Sequence, residues 1–270
     1  MAITFRARTL LTALLACTCL LAVCPLGMPF GVLVASLARA ADTLIVGERF
    51  TPDELGAPTN LSVTAQLRSD TGGSPSPVTK LTLYAPAGLA VDARFAGVCT
   101  AARLEQRGPR GCPADSRAGF GGGVAVLALP KETIRERYTL DFFFAPSEHG
   151  RLALLAYASA TSPVVVELVV TAREVRAPKP YGLGFSVEVP PISTLPGAPL
   201  ASIESAFATF GSANVAYYKR IRGKRTLVHL RGLLVPRSCP PGGFQSLAII
   251  DFADGATLTV NPTIPCPHGS

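Results

Sequence analysis

The segment formed by residues 217–225 is the part of the chain whose residue types most clearly suggest chemistry. Five cationic side chains fall within seven residues there and follow two tyrosines. The segment consists of Tyr217, Tyr218, Lys219, Arg220, Ile221, Arg222, Gly223, Lys224 and Arg225. Such a cluster can bind an anionic polymer, for example a wall polymer, an acidic glycan or lipid head groups. The alternative is a solvated hairpin that turns at Arg222, Gly223 and Lys224, whose charges prevent edge-to-edge strand pairing.

Patterns typical of nucleophilic catalysis are absent from the sequence. The chain contains neither a G-x-S-x-G elbow nor an S-x-x-K motif. Its three histidines, His149, His229 and His268, stand in a turn-like segment, a strand-like segment and the C-terminal tail. Nothing in their spacing marks a base beside an activated nucleophile, so the sequence favours a protein that is not an enzyme.

Carboxylates are the remaining catalytic candidates, because glycoside hydrolysis needs two of them across a cleft. The chain has 18 acidic residues, and sequence alone selects no pair. Glu167 interrupts the apolar run of residues 163–175, and a buried acid there would have a raised pKa. The alternative is an acid at an edge or with a hydrogen-bond partner. Asp251 and Asp254 do not match a calcium-binding EF-hand, and Asp254 before Gly255 indicates a turn.

The N-terminus predicts export. Arg6 and Arg8 precede the apolar residues 10–23, and residues 38–40 read Ala-Arg-Ala, a small-x-small cleavage site. Residues 1–40 are therefore interpreted as a secretory signal peptide, and residues 41–270 as one mature domain. Removing the three arginines of the signal lowers the formal net charge from +7 to +4, and this mild positive charge gives no reason to expect a nucleic-acid partner.

Two other interpretations of the N-terminus stay open. Residues 10–38 are long enough to remain as a membrane anchor, although prolines and a glycine interrupt them. Cys17 follows a lipobox-like Leu-Leu-Ala, which would make the chain a lipoprotein. Contact with a membrane is otherwise expected only through an uncleaved N-terminal segment.

Four cysteines remain after the signal: Cys99, Cys112, Cys239 and Cys266. An even number in an exported chain indicates two disulfides, for which three connectivities are possible. We predict Cys99–Cys112 and Cys239–Cys266, because each pair closes a local loop. A zinc site is the alternative, but no two of these cysteines form a C-x2-C pair. No metal or other cofactor is expected.

The mature chain is dominated by strand patterns. Apolar residues alternate with polar ones at residues 61–67 and 138–144, and turn residues separate such segments at regular spacing. These patterns predict an all-β fold, an antiparallel two-sheet β-sandwich of jelly-roll-like complexity with about a dozen strands. The alternative is a pair of Ig-like domains divided near residue 178.

One short helix is expected between Cys99 and Cys112. Thr100 can cap its N-terminus, residues 101–106 favour helix, and Gly108 and Pro109 end it. Two turns are not stable alone, and the disulfide would contribute roughly 3 kcal/mol to holding them. The glycines at residues 119–123 follow at a spacing too close for a dinucleotide motif, which predicts a structural turn or bulge.

The cysteine-framed stretch also carries a family resemblance. Residues 97–121 contain the pattern G-V-C, then G-P-x-x-C-P-x-x-S-x-x-G-x-G, and a second pattern comprises residues 236–240, 251–255 and 265–266. The sequence resembles a group of uncharacterised exported proteins common in high-GC actinobacteria. The resemblance implies export and an all-β fold, and it carries over no catalytic residue.

These observations predict an exported, non-enzymatic protein of the cell envelope or the extracellular space. Its role would be structural, adhesive or binding, directed toward an anionic surface polymer through residues 217–225. The alternative is a secreted glycan-active hydrolase on a jelly-roll scaffold, since fold does not decide between the two.

Overall fold

A computed structural model describes most of the chain after the predicted signal peptide. It describes residues 42–70, 72–93, 96–128, 132–193, 199–211, 216–229 and 232–267. The predicted signal peptide of residues 1–40, with Cys17 and the candidate anchor of residues 10–38, lies outside the described residues, as does His268.

Strands make up most of the described part of the chain. The strands are β1 (Thr43–Thr51), β2 (Pro58–Arg68), β3 (Val78–Tyr84), β4 (Ala90–Asp92), β5 (Arg117–Ala128), β6 (Thr133–Phe144), β7 (Ala153–Ala160), β8 (Val166–Arg176), β9 (Leu183–Glu188), β10 (Ser202–Phe210), β11 (Ala216–Ile221), β12 (Lys224–His229), β13 (Gly232–Leu234), β14 (Phe244–Gln245), β15 (Leu247–Phe252), β16 (Thr257–Val260) and β17 (Thr263–Ile264). Helix α1 spans Ala101–Arg107, and two 3-10 turns follow at Pro109–Gly111 and Ala114–Ser116.

Thirteen of the described strands form one antiparallel sheet. Its order is β16–β15–β3–β9–β8–β7–β6–β5–β10–β2–β13–β4, and β1 pairs with β2. The sheet curls strongly, because β1 also contacts β16 and β17 near its opposite edge. Two further sheets of two strands each are β11–β12 and β14–β17.

Helix α1 lies on the outer face of this sheet. Its only buried side chain, Leu104, packs against Phe143 of β6 and against Leu155 and Tyr157 of β7. The Thr100 hydroxyl accepts a hydrogen bond from the Arg103 backbone N–H at 3.3 Å, as the sequence predicts for an N-cap.

Disulfides hold two parts of the fold. Cys99 is bonded to Cys112 and Cys239 to Cys266, so the structure contains both predicted pairs. The first pair encloses α1. The second lies beside a core cluster in which the rings of Phe50 and Phe244 meet edge to face, with centroids 5.6 Å apart.

The predicted all-β class, antiparallel pairing and single α-helix between Cys99 and Cys112 are confirmed in the described residues. The sandwich was expected to have two separate sheets, but most of its strands belong to one sheet that curls back on itself. Within that sheet β5 to β9 are successive neighbours. Strands before and after residue 178 pair directly, β3 with β9 and β2 with β10.

Of the predicted turn or bulge, the turn is wrong, because the glycine-rich segment is the interior of β5, whereas a bulge-like irregularity is present at its start. A register irregularity does occur between Arg117 and Gly119. The glycines are required because the backbone of β10 passes very close: a Cβ on Gly121 would collide with the carbonyl oxygen of Phe207. This is the close approach of two backbones that strand glycines permit.

Candidate functional site

The curled sheet encloses a cavity of about 460 Å³. Its wall comes from the inner faces of β1, β2, β3, β5 to β10 and β15, where alternate residues point inward. Most of the lining side chains are aliphatic or aromatic, among them Val63, Leu140, Leu168 and Phe185. A cavity of this size and character falls within the range of small-molecule sites.

The inner face of β1 is only partly filled by packing, and Leu44 at one end of it contacts the core cluster of Leu67, Ile250 and Phe252. Outward residues of β1 are exposed, whereas the inward Leu44, Val46 and Glu48 are only partly buried. Phe50, the next inward residue, is fully packed in the core cluster at one end of the cavity. Leu61 and Leu89 both contact that cluster and line the cavity, so the cluster forms the end wall.

Small residues create the space inside. Ala65, Ala158, Ala206 and Ala208 all line the cavity, and on β2 the inward neighbours of Ala65 are the larger Val63 and Leu67. Ala206 lies opposite Ala65 in the pairing of β10 with β2. A row of alanines on facing positions leaves volume that leucine or phenylalanine would occupy in a close-packed interior.

Glu48 is the inward-facing residue of β1 that directly precedes Phe50 of the end wall. It lies between Val46 and Phe50 on the inner side of β1, and its Oε2 accepts a short hydrogen bond from the Ser246 hydroxyl. Burial raises the pKa of Glu48, and the bond from Ser246 offsets this in part. The site therefore contains a carboxyl group in largely apolar surroundings.

Ser246 is held in place for this contact. Only 4% of its surface is exposed, and its backbone N–H donates to the Pro262 carbonyl at 3.1 Å. A donor whose backbone is held in this way is preorganised to orient the Glu48 carboxyl group.

Three other polar side chains of the wall have structural partners. Oε1 of Glu136, a residue with 4% of its surface exposed, accepts the Val164 backbone N–H at 3.2 Å. The Tyr138 hydroxyl donates to the Ser205 carbonyl at 3.1 Å, and burial raises the pKa of this phenol. Arg135 Nε donates to Glu204 Oε2 at 2.8 Å, which compensates the charge of Glu204.

Charge in the cavity wall is of one sign. Glu48, Glu136 and Glu204 line it, and of these Glu204 is paired with Arg135 outside the wall, whereas none of the described residues in the wall is Lys, Arg or His. The wall therefore offers hydrogen-bond acceptors and negative charge, and no side chain that would neutralise an anion.

The predicted cationic segment forms the β11–β12 hairpin. Arg222 and Gly223 have φ values of 50° and 80°, as the two-residue hairpin turn requires. The register places Tyr218 opposite Leu227 and Arg220 opposite Arg225, so these four side chains share one face. Tyr218 and Leu227 are 60% and 47% exposed.

The two faces of the hairpin divide the remaining predicted residues. Lys219 and Lys224 belong to the opposite face, and Arg222 lies in the turn; Tyr217 is in β11, with its side chain outside the described residues. The guanidinium carbon of Arg225 lies 4.1 Å from the centre of the Tyr218 ring, a cation–π contact.

Glu167 is not a buried acid, so that hypothesis is wrong. It points outward from β8 and is exposed, whereas its neighbours Val166 and Leu168 point into the cavity. The run around it looked apolar on both faces because Val169 packs outward against the core beneath helix α1.

The other motif residues have local structural roles. The Asp254 carboxylate accepts the Ala256 backbone N–H at 2.9 Å, as expected of a turn, and His149 sits in a turn with a φ of 53°. No group of three or more His, Cys, Asp or Glu that could hold a metal is found among the described residues.

Comparison with protein-family models, with curated proteins and with solved structures found no match to this chain. In the described ranges, no helix has both the length and the apolar character needed to cross a membrane.

The cavity and Glu48 were missed at the level of the sequence. The available signal was the set of alanines at inward positions, such as Ala65 between Val63 and Leu67 on β2. That signal is weak, because alternation identifies the inner face but not the distance to the opposite wall.

Proposed function

We propose that the protein is an exported, non-enzymatic binding protein that holds a hydrophobic small molecule inside its curled sheet. The observation that carries this proposal is the cavity of about 460 Å³ with a mostly apolar wall. Apolar ligand surface moved from water into such a wall contributes about 25 cal/mol per Å² to binding.

Export is supported by two features of the chain. The N-terminal segment has the charge, apolar run and cleavage site of a secretory signal. The two disulfides, Cys99–Cys112 and Cys239–Cys266, are stable in oxidising compartments outside the cytoplasm. A carrier of water-insoluble molecules is useful in such a compartment, where its ligand cannot diffuse freely.

The test is a titration with N-phenyl-1-naphthylamine, an uncharged probe that fluoresces in apolar surroundings. We expect saturable binding of one probe per protein. Ala65→Phe and Ala158→Phe, which fill the cavity from two sides, should each weaken the binding by about tenfold, the equivalent of about 1.4 kcal/mol.

Gln66→Phe is the matched control. It adds the same ring to the next residue of β2, which is exposed on the outer face. This variant should bind the probe as the natural protein does. Absence of saturable binding, or equal binding by all four proteins, would contradict the proposal.

A second binding role, toward an anionic surface polymer, is favoured by the geometry of the β11–β12 hairpin. Arg220 and Arg225 lie opposite each other on an exposed face, and Tyr218 holds the Arg225 guanidinium by a cation–π contact. A cation ordered in advance loses less side-chain entropy when it binds an anion.

This role predicts salt-sensitive retention on isolated cell walls and on a sulfated-dextran column. Changing Arg220, Arg222 and Arg225 together to Ala should release the protein at lower salt. The matched control removes the same charge elsewhere.

That control replaces the exposed Arg103, Arg107 and Arg110 of the α1 segment with Ala. If both triple variants elute alike, retention reflects net charge alone and the hairpin is not a specific site.

A further inference from the structure

We infer that the cavity selects a lipophilic molecule whose single polar end is an uncharged hydrogen-bond donor, such as a long-chain or polyprenyl alcohol, and that Glu48 receives this end. The inference rests on the proposed function, because it specifies the ligand of the same cavity.

The position of Glu48 is the first support. It is inward-facing on β1, directly before Phe50 of the end wall, and the inner face beyond it continues with Val46 and Leu44. A chain-like ligand that lies along this face with one end at the Phe50 wall therefore places that end at the carboxyl group. The rest of the molecule then lies against aliphatic side chains.

The hydrogen-bonding capacity of Glu48 is the second support. Ser246 donates to Oε2, and a carboxylate has two oxygens with several lone pairs, so acceptor capacity remains. A ligand hydroxyl can donate to this group. A ligand that ends in an acceptor only, such as an ester, cannot form that bond with an ionised Glu48.

The sign of the charge in the wall is the third support. Glu48 and Glu136 line the cavity, the third acid Glu204 is paired with Arg135 outside the wall, and the described wall residues include no cation. A fatty-acid carboxylate bound with its head at Glu48 would bring two like charges together in a medium of low dielectric constant. Anionic lipids are therefore expected to be rejected, although their chains fit the same wall.

The experiment compares three ligands with the same chain and different heads: dodecan-1-ol, methyl dodecanoate and dodecanoate. Each competes with N-phenyl-1-naphthylamine at about pH 8, where the free acid is ionised. We expect the alcohol to displace the probe best, the ester next and the acid least. The alcohol should be more effective than the acid by about tenfold or more, as like-charge juxtaposition at a binding site requires.

Substitutions at Glu48 separate the contribution of the head group from that of the cavity. Glu48→Gln keeps the shape of the side chain and removes its charge. The affinity for dodecanoate should therefore rise by about tenfold, while the affinity for dodecan-1-ol should change by less than about threefold. In Glu48→Leu the alcohol should lose its advantage over the ester. Glu167→Gln, an equivalent change on the exposed outer face of β8, is the control and should change nothing.

The outcomes distinguish the two proposals. If the probe does not bind, the proposed function fails and this inference fails with it. If the probe binds, but dodecanoate competes as well as dodecan-1-ol and Glu48→Gln leaves the order unchanged, the inference about the head group is overturned while the hydrophobic site stands.

Discussion

Filling the cavity should not destabilise the protein, and Ala65→Phe tests this directly. Ala65 lies on the inner face of β2, opposite Ala206 of β10, and both line the cavity. A ring placed there removes on the order of 100 Å² of apolar surface from water, worth up to about 2.5 kcal/mol at about 25 cal/mol per Å². Because the inner face is partly accessible, we expect a gain of about 0–2 kcal/mol in the free energy of unfolding.

If the interior is already filled, Ala65→Phe should instead lower the free energy of unfolding. Inserting a large side chain into a close-packed core costs about 1–3 kcal/mol through strained rotamers and shifted backbone. Urea unfolding followed by circular dichroism distinguishes the two cases, and the slope of the transition shows whether the mutant remains equally compact.

Gln66→Phe serves as the control for the general effect of an added ring on β2. It exposes the ring to solvent and should change the free energy of unfolding by less than about 0.5 kcal/mol. If Ala65→Phe lowers the free energy of unfolding by about 1 kcal/mol or more while Gln66→Phe leaves it unchanged, the reasoning is refuted. A loss of that size is typical of overpacking and would mean that no open cavity exists at Ala65.

Three further predictions concern stability. Replacing Cys99 and Cys112 together with Ser should lower the free energy of unfolding by about 3 kcal/mol, since the bonded cysteines are 13 positions apart; an unchanged urea midpoint would contradict this. Gly121→Val should prevent soluble folded expression because its Cβ meets the Phe207 carbonyl, whereas Gly73→Val, with open space around it, should express normally. Glu48→Gln should raise the melting temperature near neutral pH by a few degrees, an order of magnitude typical of one relieved buried charge. Burial raises the pKa of Glu48 in the folded state above its pKa in the unfolded state, so the natural protein loses stability as the pH rises through these two pKa values. Near about pH 4 the carboxyl group is largely protonated, and the gain in melting temperature from Glu48→Gln should be smaller there. Equal gains at both pH values in thermal scans would exclude the carboxylate as the cause.

The local elements of this protein can be predicted from its sequence. Strand alternation, the Thr100 cap and the Arg222-Gly223 turn depend on neighbours a few residues away, and each forms as predicted. The disulfide pairs could also be predicted from the sequence, because each pair closes a local loop.

How these elements enclose the cavity depends on the tertiary structure. Alternation assigns Ala65 to an inner face, but whether the opposite wall lies in contact or across a cavity depends on how far the whole sheet curls. Glu48 and Ser246 meet across 198 positions of the chain, a separation that no local pattern encodes. Glu167 shows the same limit of sequence patterns. Val169, two residues further along the same outer face, is apolar because it packs beneath helix α1, and the strand pattern does not reveal that packing. Local periodicity follows from backbone geometry, whereas the cavity and its carboxyl group follow from long-range closure of the sheet.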